Sequence, residues 1–179
     1  MRYTLLLLLT TLLFSTQNTK LNTAHFAGGC FWGMEYHFEK MAGVTSVVSG
    51  FMENVTKNPS YQNLDAIPTA HVEAIEVTYN PKITNYQALS KHFFEIHDFT
   101  QTNGQGGDIG QAYLSVLFYN NTQERSDAYI LINILNTKGY KVATTVQKRT
   151  QFFASPKYHQ DYYERNGGTP YCHIYKKIF

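Results

Sequence analysis

Apolar side chains recur along the chain in two rhythms, and the switches between them predict a series of strands and helices. Ala24-His25-Phe26-Ala27 is a short apolar run of strand character, after which Phe31, Met34, Phe38 and Met41 repeat at a spacing that fits one helix face. Gly43 stands where a helix C-cap would, and Val44 to Val48 reads as the next strand. Residues 50 to 70 carry Asn54, Asn58, Pro59, Asp65 and Pro68 among few paired apolar positions, which predicts a long loop of the kind that tends to be functional. His71 to Tyr79 is strand-like again. Thr84 or Asn85 can cap a helix whose apolar face is Tyr86, Leu89, Phe93 and Ile96. That pattern stops at Asp98, and four glycines before Gln111 predict a tightly turning loop. Tyr113 to Tyr119 is aromatic and β-branched, as a strand would be.

Asn121-x-x-Glu124 has the spacing of a capping box, ahead of a helical face formed by Ala128, Leu131, Ile132 and Leu135. A strand at Val142 to Val146, a short helix opened by Ser155-Pro156 and running to Tyr163, and a Gly167-Gly168 tail complete the pattern. Strands and helices alternate without the uniform rhythm of a doubly wound sheet. The expected fold is α/β (α+β), a two-layer sandwich with a mixed sheet.

The first residues follow a different rule. Arg2 is followed by an apolar stretch from Leu5 to Phe14 and then by polar Ser15 to Lys20, the layout of a secretory leader. Residues 1–23 are therefore expected to be the leader and 24–179 the catalytic domain. The protein is expected to be exported, periplasmic or secreted, the alternative being a membrane tether through an uncleaved leader. A chain of 179 residues with 43% hydrophobic content fills one domain. A formal charge of +2 without a long basic or acidic run argues against nucleic acid as a partner, and a monomer is expected.

The chemistry concentrates at Gly28-Gly29-Cys30-Phe31-Trp32-Gly33. Cys30 falls between a strand and a helix N-terminus, where the helix dipole favours a thiolate, so a lowered thiol pKa is expected. The two glycines are expected to turn the backbone and keep bulk away from the sulfur. Strand alternation places Glu73 on one face with Ile75, Val77 and Tyr79; burial there would raise the carboxyl pKa and let it hold a proton. Periodicity alone leaves Glu73 equally compatible with a strand buried on both faces or with an edge facing solvent. Cys172 lies in a Gly-containing tail expected to be mobile enough to reach Cys30. A permanent structural disulfide is the alternative for two cysteines in an exported chain. The seven histidines form no recognisable ligand set, and no metal is expected.

Gly28-Gly29-Cys30-Phe31-Trp32-Gly33 resembles the active-site signature of the class A peptide methionine sulfoxide reductases. The resemblance continues through Asn58-Pro59-Ser60-Tyr61, His71-Val72-Glu73-Ala74 and Gly104-Gln105-Gly106-Gly107-Asp108 to Tyr158-His159-Gln160-Asp161-Tyr162. It implies an α/β-plait-like core and reduction of the S epimer of methionine sulfoxide, free or in proteins, with no cofactor. It also implies that Cys30 becomes a sulfenic acid, that Glu73 is the acid, and that Tyr61 and Tyr113 bind the sulfoxide oxygen. Phe31 and Trp32 would wall the methyl group and Asp108 would organise the pocket. Cys172 would resolve the sulfenic acid as a disulfide, reopened by thioredoxin or an exported dithiol reductant. The chain departs from the family pattern where Asp65 replaces a further cysteine, so the recycling route is less defined than the central chemistry. Two other readings remain at this point: a cysteine hydrolase pairing Cys30 with His71 or His159, and a binding module stapled by both cysteines.

Overall fold

The computed structural model describes residues 19–52 and 71–179. In chain order the elements are β1 (Asn22–Gly28), α1 (Phe31–Phe38), β2 (Val44–Met52), β3 (Val72–Tyr79), α2 (Tyr86–Ile96), β4 (Gly104–Gln105) and β5 (Asp108–Ile109). They are followed by β6 (Ser115–Tyr119), α3 (Thr122–Thr137), β7 (Thr145–Lys148), β8 (Phe152–Ala154) and α4 (Tyr162–Asn166). Six strands form one sheet in the order β7-β6-β1-β3-β2-β8, and β4 and β5 form a separate hairpin. Every pairing in the large sheet is antiparallel except β6 with β7, which is parallel, so the sheet is mixed.

β1 is central, paired on both sides, which is why Ala24 to Gly28 is an almost unbroken apolar run rather than an alternating one. Phe26, Ile75, Val77 and Leu117 from the sheet meet Phe31, Met34 and Phe38 of α1 and Leu89, Phe93 and Phe94 of α2 in the main core. Phe26 stacks on Phe38 at 5.0 Å between ring centroids, joining sheet to helix. A smaller cluster, with Ala27, Met52, Val72, Ala74, Val116 and Phe118, is formed by the alternate positions of the same strands. The start of β3 is therefore buried on both faces.

Asn85 accepts the Ala88 N–H at 2.9 Å and so is the cap of α2. Asn121 accepts the Glu124 N–H at 2.9 Å, while the Glu124 carboxylate reaches back one residue beyond the cap, to the Asn120 N–H at 2.6 Å. Several element boundaries differ from the sequence pattern. The strand expected at Val142 to Val146 forms at Thr145–Lys148, because its backbone bonds are set by the register of β6 and not by its own apolar residues. Gln111–Tyr113 is a 3₁₀ turn, so β6 begins two residues after Tyr113. The helix expected from Ser155 to Tyr163 is a 3₁₀ turn at Lys157–His159 and a separate α4. Asp161, between them, has φ of 52°, a left-handed backbone that interrupts the helix and that Asp tolerates better than most residues. The expected leader falls mainly, and Tyr61 wholly, outside the described residues. No helix among the described residues is long and apolar enough to cross a membrane.

All seven histidines have their pKa lowered by burial: His25 and His97 to about 4, His173 to about 3, and the other four by smaller amounts. Between the unfolded value of 6.5 and the folded values, the unfolded chain binds more protons, so acidification through that window destabilises the fold. Burial raises Glu35 and Glu39 to about 7, which acts in the opposite direction between pH 7 and 4.5. The histidines outweigh them in number and in shift. The melting temperature is expected to fall steadily from pH 7 to pH 4.5 in a thermal scan; a flat or rising profile would contradict this assignment.

Candidate active site

At the end of β1 the chain turns through Gly29 and reaches Cys30, the residue that caps the N-terminus of α1. Gly29 has φ of 91°, and a Cβ there would stand 2.5 Å from the Gln105 side chain. A Cβ on Gly28 would meet Phe93 at 2.9 Å. The glycines thus make room for Gln105 and Phe93, which corrects the expectation that they keep bulk away from the sulfur.

Glu73 enters from β3 on the same face as Ile75, Val77 and Tyr79, as alternation predicts, and is only 2% exposed. Its Oε2 accepts the backbone N–H of Phe31 at 3.0 Å, which ties the carboxyl to the first turn of the helix that carries Cys30. Burial and that bond hold the carboxyl in place against the turn.

Cys30, Phe31, Trp32, Glu73, Asp108 and Tyr113 line one cavity of about 430 Å³. Sequence reasoning named all six. It missed Tyr162 and Tyr163 of α4 and Tyr171 of the tail, which complete the walls. Trp32 and Tyr162 stack with centroids 3.7 Å apart and planes 8° from parallel, and Phe31 packs between Phe51 at 5.7 Å and His159 at 5.3 Å. The available signal was the Tyr158 to Tyr162 element, whose position the sequence did not reveal. Gln160 supplies it: its Oε1 accepts the Ser49 N–H at 2.8 Å, and its Nε2 donates to the Ser49 carbonyl at 2.9 Å and to Ser155 Oγ at 2.8 Å. That clamp fixes the aromatic segment to β2. Asp108 accepts the Tyr171 hydroxyl at 3.2 Å, joining the β4–β5 hairpin to the tail.

The electrostatics of the thiol reverse the sequence expectation. Burial, and then the Glu73 carboxylate, push the Cys30 pKa well above the usual thiol range, with Cys172 and Asp108 adding to the rise and a backbone bond involving Trp32 opposing it. Helix-start activation is present but desolvation outweighs it, so the resting site holds a neutral thiol.

Cys172 sits among polar contacts. Its carbonyl accepts from Gln105 Nε2 at 3.0 Å, its Sγ lies 3.1 Å from His173 Nδ1, and burial followed by Asp108 raises its thiol to about 11. Beyond it, Lys176 donates its N–H to the Glu95 carbonyl, and Glu95 Oε1 accepts from Ile178 and Phe179. The end of the tail is thus tied to α2. Both cysteines are free thiols in this structure.

One group among the described residues, Glu35, Glu39 and Asp161, brings carboxylate oxygens within 4.8 Å of one another. It lines a different cavity, of about 500 Å³, to which Cys30 does not contribute.

Fold and pocket together define a thiol oxidoreductase: a single nucleophilic sulfur, a buried carboxyl beside it, a second thiol nearby and aromatic walls. The sequence pattern of the Peptide methionine sulfoxide reductase family matches residues 22–179, and the chain belongs to that family. Peptide methionine sulfoxide reductase MsrA 1 of Rhodopirellula baltica is 41% identical over 151 residues, covering 83% of this chain and 78% of that protein. The reduced form of Mxr1 from Saccharomyces cerevisiae superposes with a TM-score of 0.80 at 28% identity, covering 90% of this chain and 95% of Mxr1. Mxr1 has also been solved in complex with Trx2; that structure gives a TM-score of 0.59 at 21% identity over 92% of this chain and 96% of the other.

Proposed function

We propose that the protein reduces the S epimer of methionine sulfoxide, free or in proteins, to methionine. The observation that carries this reading is the Cys30 thiol and the buried Glu73 carboxyl facing one aromatic cavity. Attack by the Cys30 sulfur on the sulfoxide sulfur requires the oxygen to be protonated, and Glu73 is the group placed to supply that proton. The thiol proton passes to the Glu73 carboxylate as the sulfur bonds, which restores the acid and balances the step. Oxygen transfer leaves methionine and a Cys30 sulfenic acid. Tyr113 offers the oxygen a hydrogen bond without adding charge, and the Phe31 and Trp32 rings suit a sulfur-bound methyl group. Separate subsites for oxygen and methyl favour one epimer.

Cys172 then condenses with the sulfenic acid, and a dithiol protein of the thioredoxin type reopens the bridge. The Mxr1 complex with Trx2 is an instance of this fold meeting such a protein. The charge and apolar run near the N-terminus support export, in which case the reductant is an exported dithiol protein.

The recycling half is tested with Cys172→Ser. This variant is expected to release about one equivalent of methionine per enzyme and then stall with thioredoxin, while dithiothreitol, which attacks the sulfenic acid directly, restores turnover. Full thioredoxin-dependent turnover in Cys172→Ser would assign recycling to Cys30 alone, because the chain has only two cysteines.

A further inference from the structure

We propose that His173 is a positioning residue for the recycling step, accepting the Cys172 thiol hydrogen bond and so holding that sulfur for attack on the Cys30 sulfenic acid. The inference rests on the reading of Cys172 as the resolving thiol and adds a residue to it.

His173 is 2% exposed, and its Nε2 lies 2.7 Å from the Gly28 carbonyl oxygen. A carbonyl only accepts, so Nε2 carries the hydrogen and Nδ1 of the neutral ring carries a lone pair. That lone pair faces Cys172 Sγ at 3.1 Å, which makes the thiol the donor. The ring occupies space that Gly33 leaves open: a Cβ on Gly33 would lie 2.2 Å from Nδ1 and 2.8 Å from the ring carbon Cγ. His37 Nε2 donates to the His173 carbonyl at 2.9 Å and fastens the same residue to α1. The imidazole is thereby lodged against the helix turn that carries Cys30, with its one acceptor turned to the second thiol.

The step balances within the site. The Cys172 sulfur forms the S–S bond to Cys30 as the S–O bond of the sulfenic acid breaks; Cys172 is oxidised and the Cys30 sulfur reduced. The Cys172 proton passes to the departing hydroxide, giving water, and Nδ1 holds the sulfur in place until then. Holding a reacting group in position is worth about 10²-fold in rate.

The test compares His173→Gln, whose amide can keep the tie to the Gly28 carbonyl but offers no acceptor at Nδ1, with His173→Asn, which places an amide oxygen near Nδ1. Reduced protein is mixed with methionine S-sulfoxide, and Cys30–Cys172 bridging is timed by quenched mass spectrometry relative to methionine release in the same variant. That ratio is expected to fall about 10²-fold in Gln and to recover largely in Asn. Glu73 and Asp108 face Cys172, as do Tyr163 and Tyr171, while His37 and His97 face His173; all are the same in each protein. Gly33→Ala, which displaces the ring, should reproduce the lowered ratio. A wild-type ratio in His173→Gln would overturn the role of His173 alone. Failure of the wild type itself to bridge would overturn both this inference and the recycling reading.

Discussion

Glu73→Gln is expected to slow methionine formation from S-sulfoxide about 10²–10⁴-fold, the range that follows loss of a positioned acid. The substitution is suited to the question because Gln is nearly isosteric and its amide oxygen can still accept the Phe31 N–H that Glu73 Oε2 accepts at 3.0 Å. The turn holding Cys30 is therefore preserved while the transferable proton is lost. The alkylation rate of the Cys30 thiol, measured beside the first-turnover rate, separates loss of the acid from loss of the nucleophile. An unchanged rate would assign the proton to Tyr113 or to water.

How much of this was legible in the sequence depended on whether neighbours in the chain were also neighbours in the fold. The stripe of Phe31, Met34 and Phe38 and the alternation through Glu73, Ile75, Val77 and Tyr79 are local patterns, and both faces are buried as the pattern requires. The caps Asn85 and Asn121 were readable for the same reason. β7 was legible only with shifted bounds and the three-residue β8 was not, since the extent of each is set by pairing with a distant strand.

In the site, motif position identified Cys30, Glu73, Asp108 and Tyr113, whereas Tyr162 is brought to Trp32 by Gln160 bonding across 111 residues to Ser49. No local pattern encodes that clamp. The Cys30 pKa was misread because helix position is visible in sequence and desolvation is not. The anchoring of the tail's end is invisible for the same reason: the Glu95 carboxylate that accepts from residues 178 and 179 sits in another element.

Cys30→Ser is expected to abolish sulfoxide reduction, with an effect larger than that of Glu73→Gln. A serine hydroxyl is not a competent nucleophile toward the sulfoxide sulfur at neutral pH, and no other group lining the cavity is a soft nucleophile. The fold should survive, because the Cys30 side chain makes no cap hydrogen bond and serine is a preferred residue at a helix N-cap. The melting temperature of the variant is accordingly expected to stay close to that of the wild type.

The most direct measurement is epimer-resolved turnover: wild type and Cys30→Ser, each incubated with racemic methionine sulfoxide and excess dithiothreitol, followed by chiral chromatography. The predicted result is that the wild type consumes the S epimer completely and leaves the R epimer, half of the racemate, while Cys30→Ser consumes neither. Consumption of both epimers by the wild type, or appreciable turnover by a folded Cys30→Ser protein, would contradict the account.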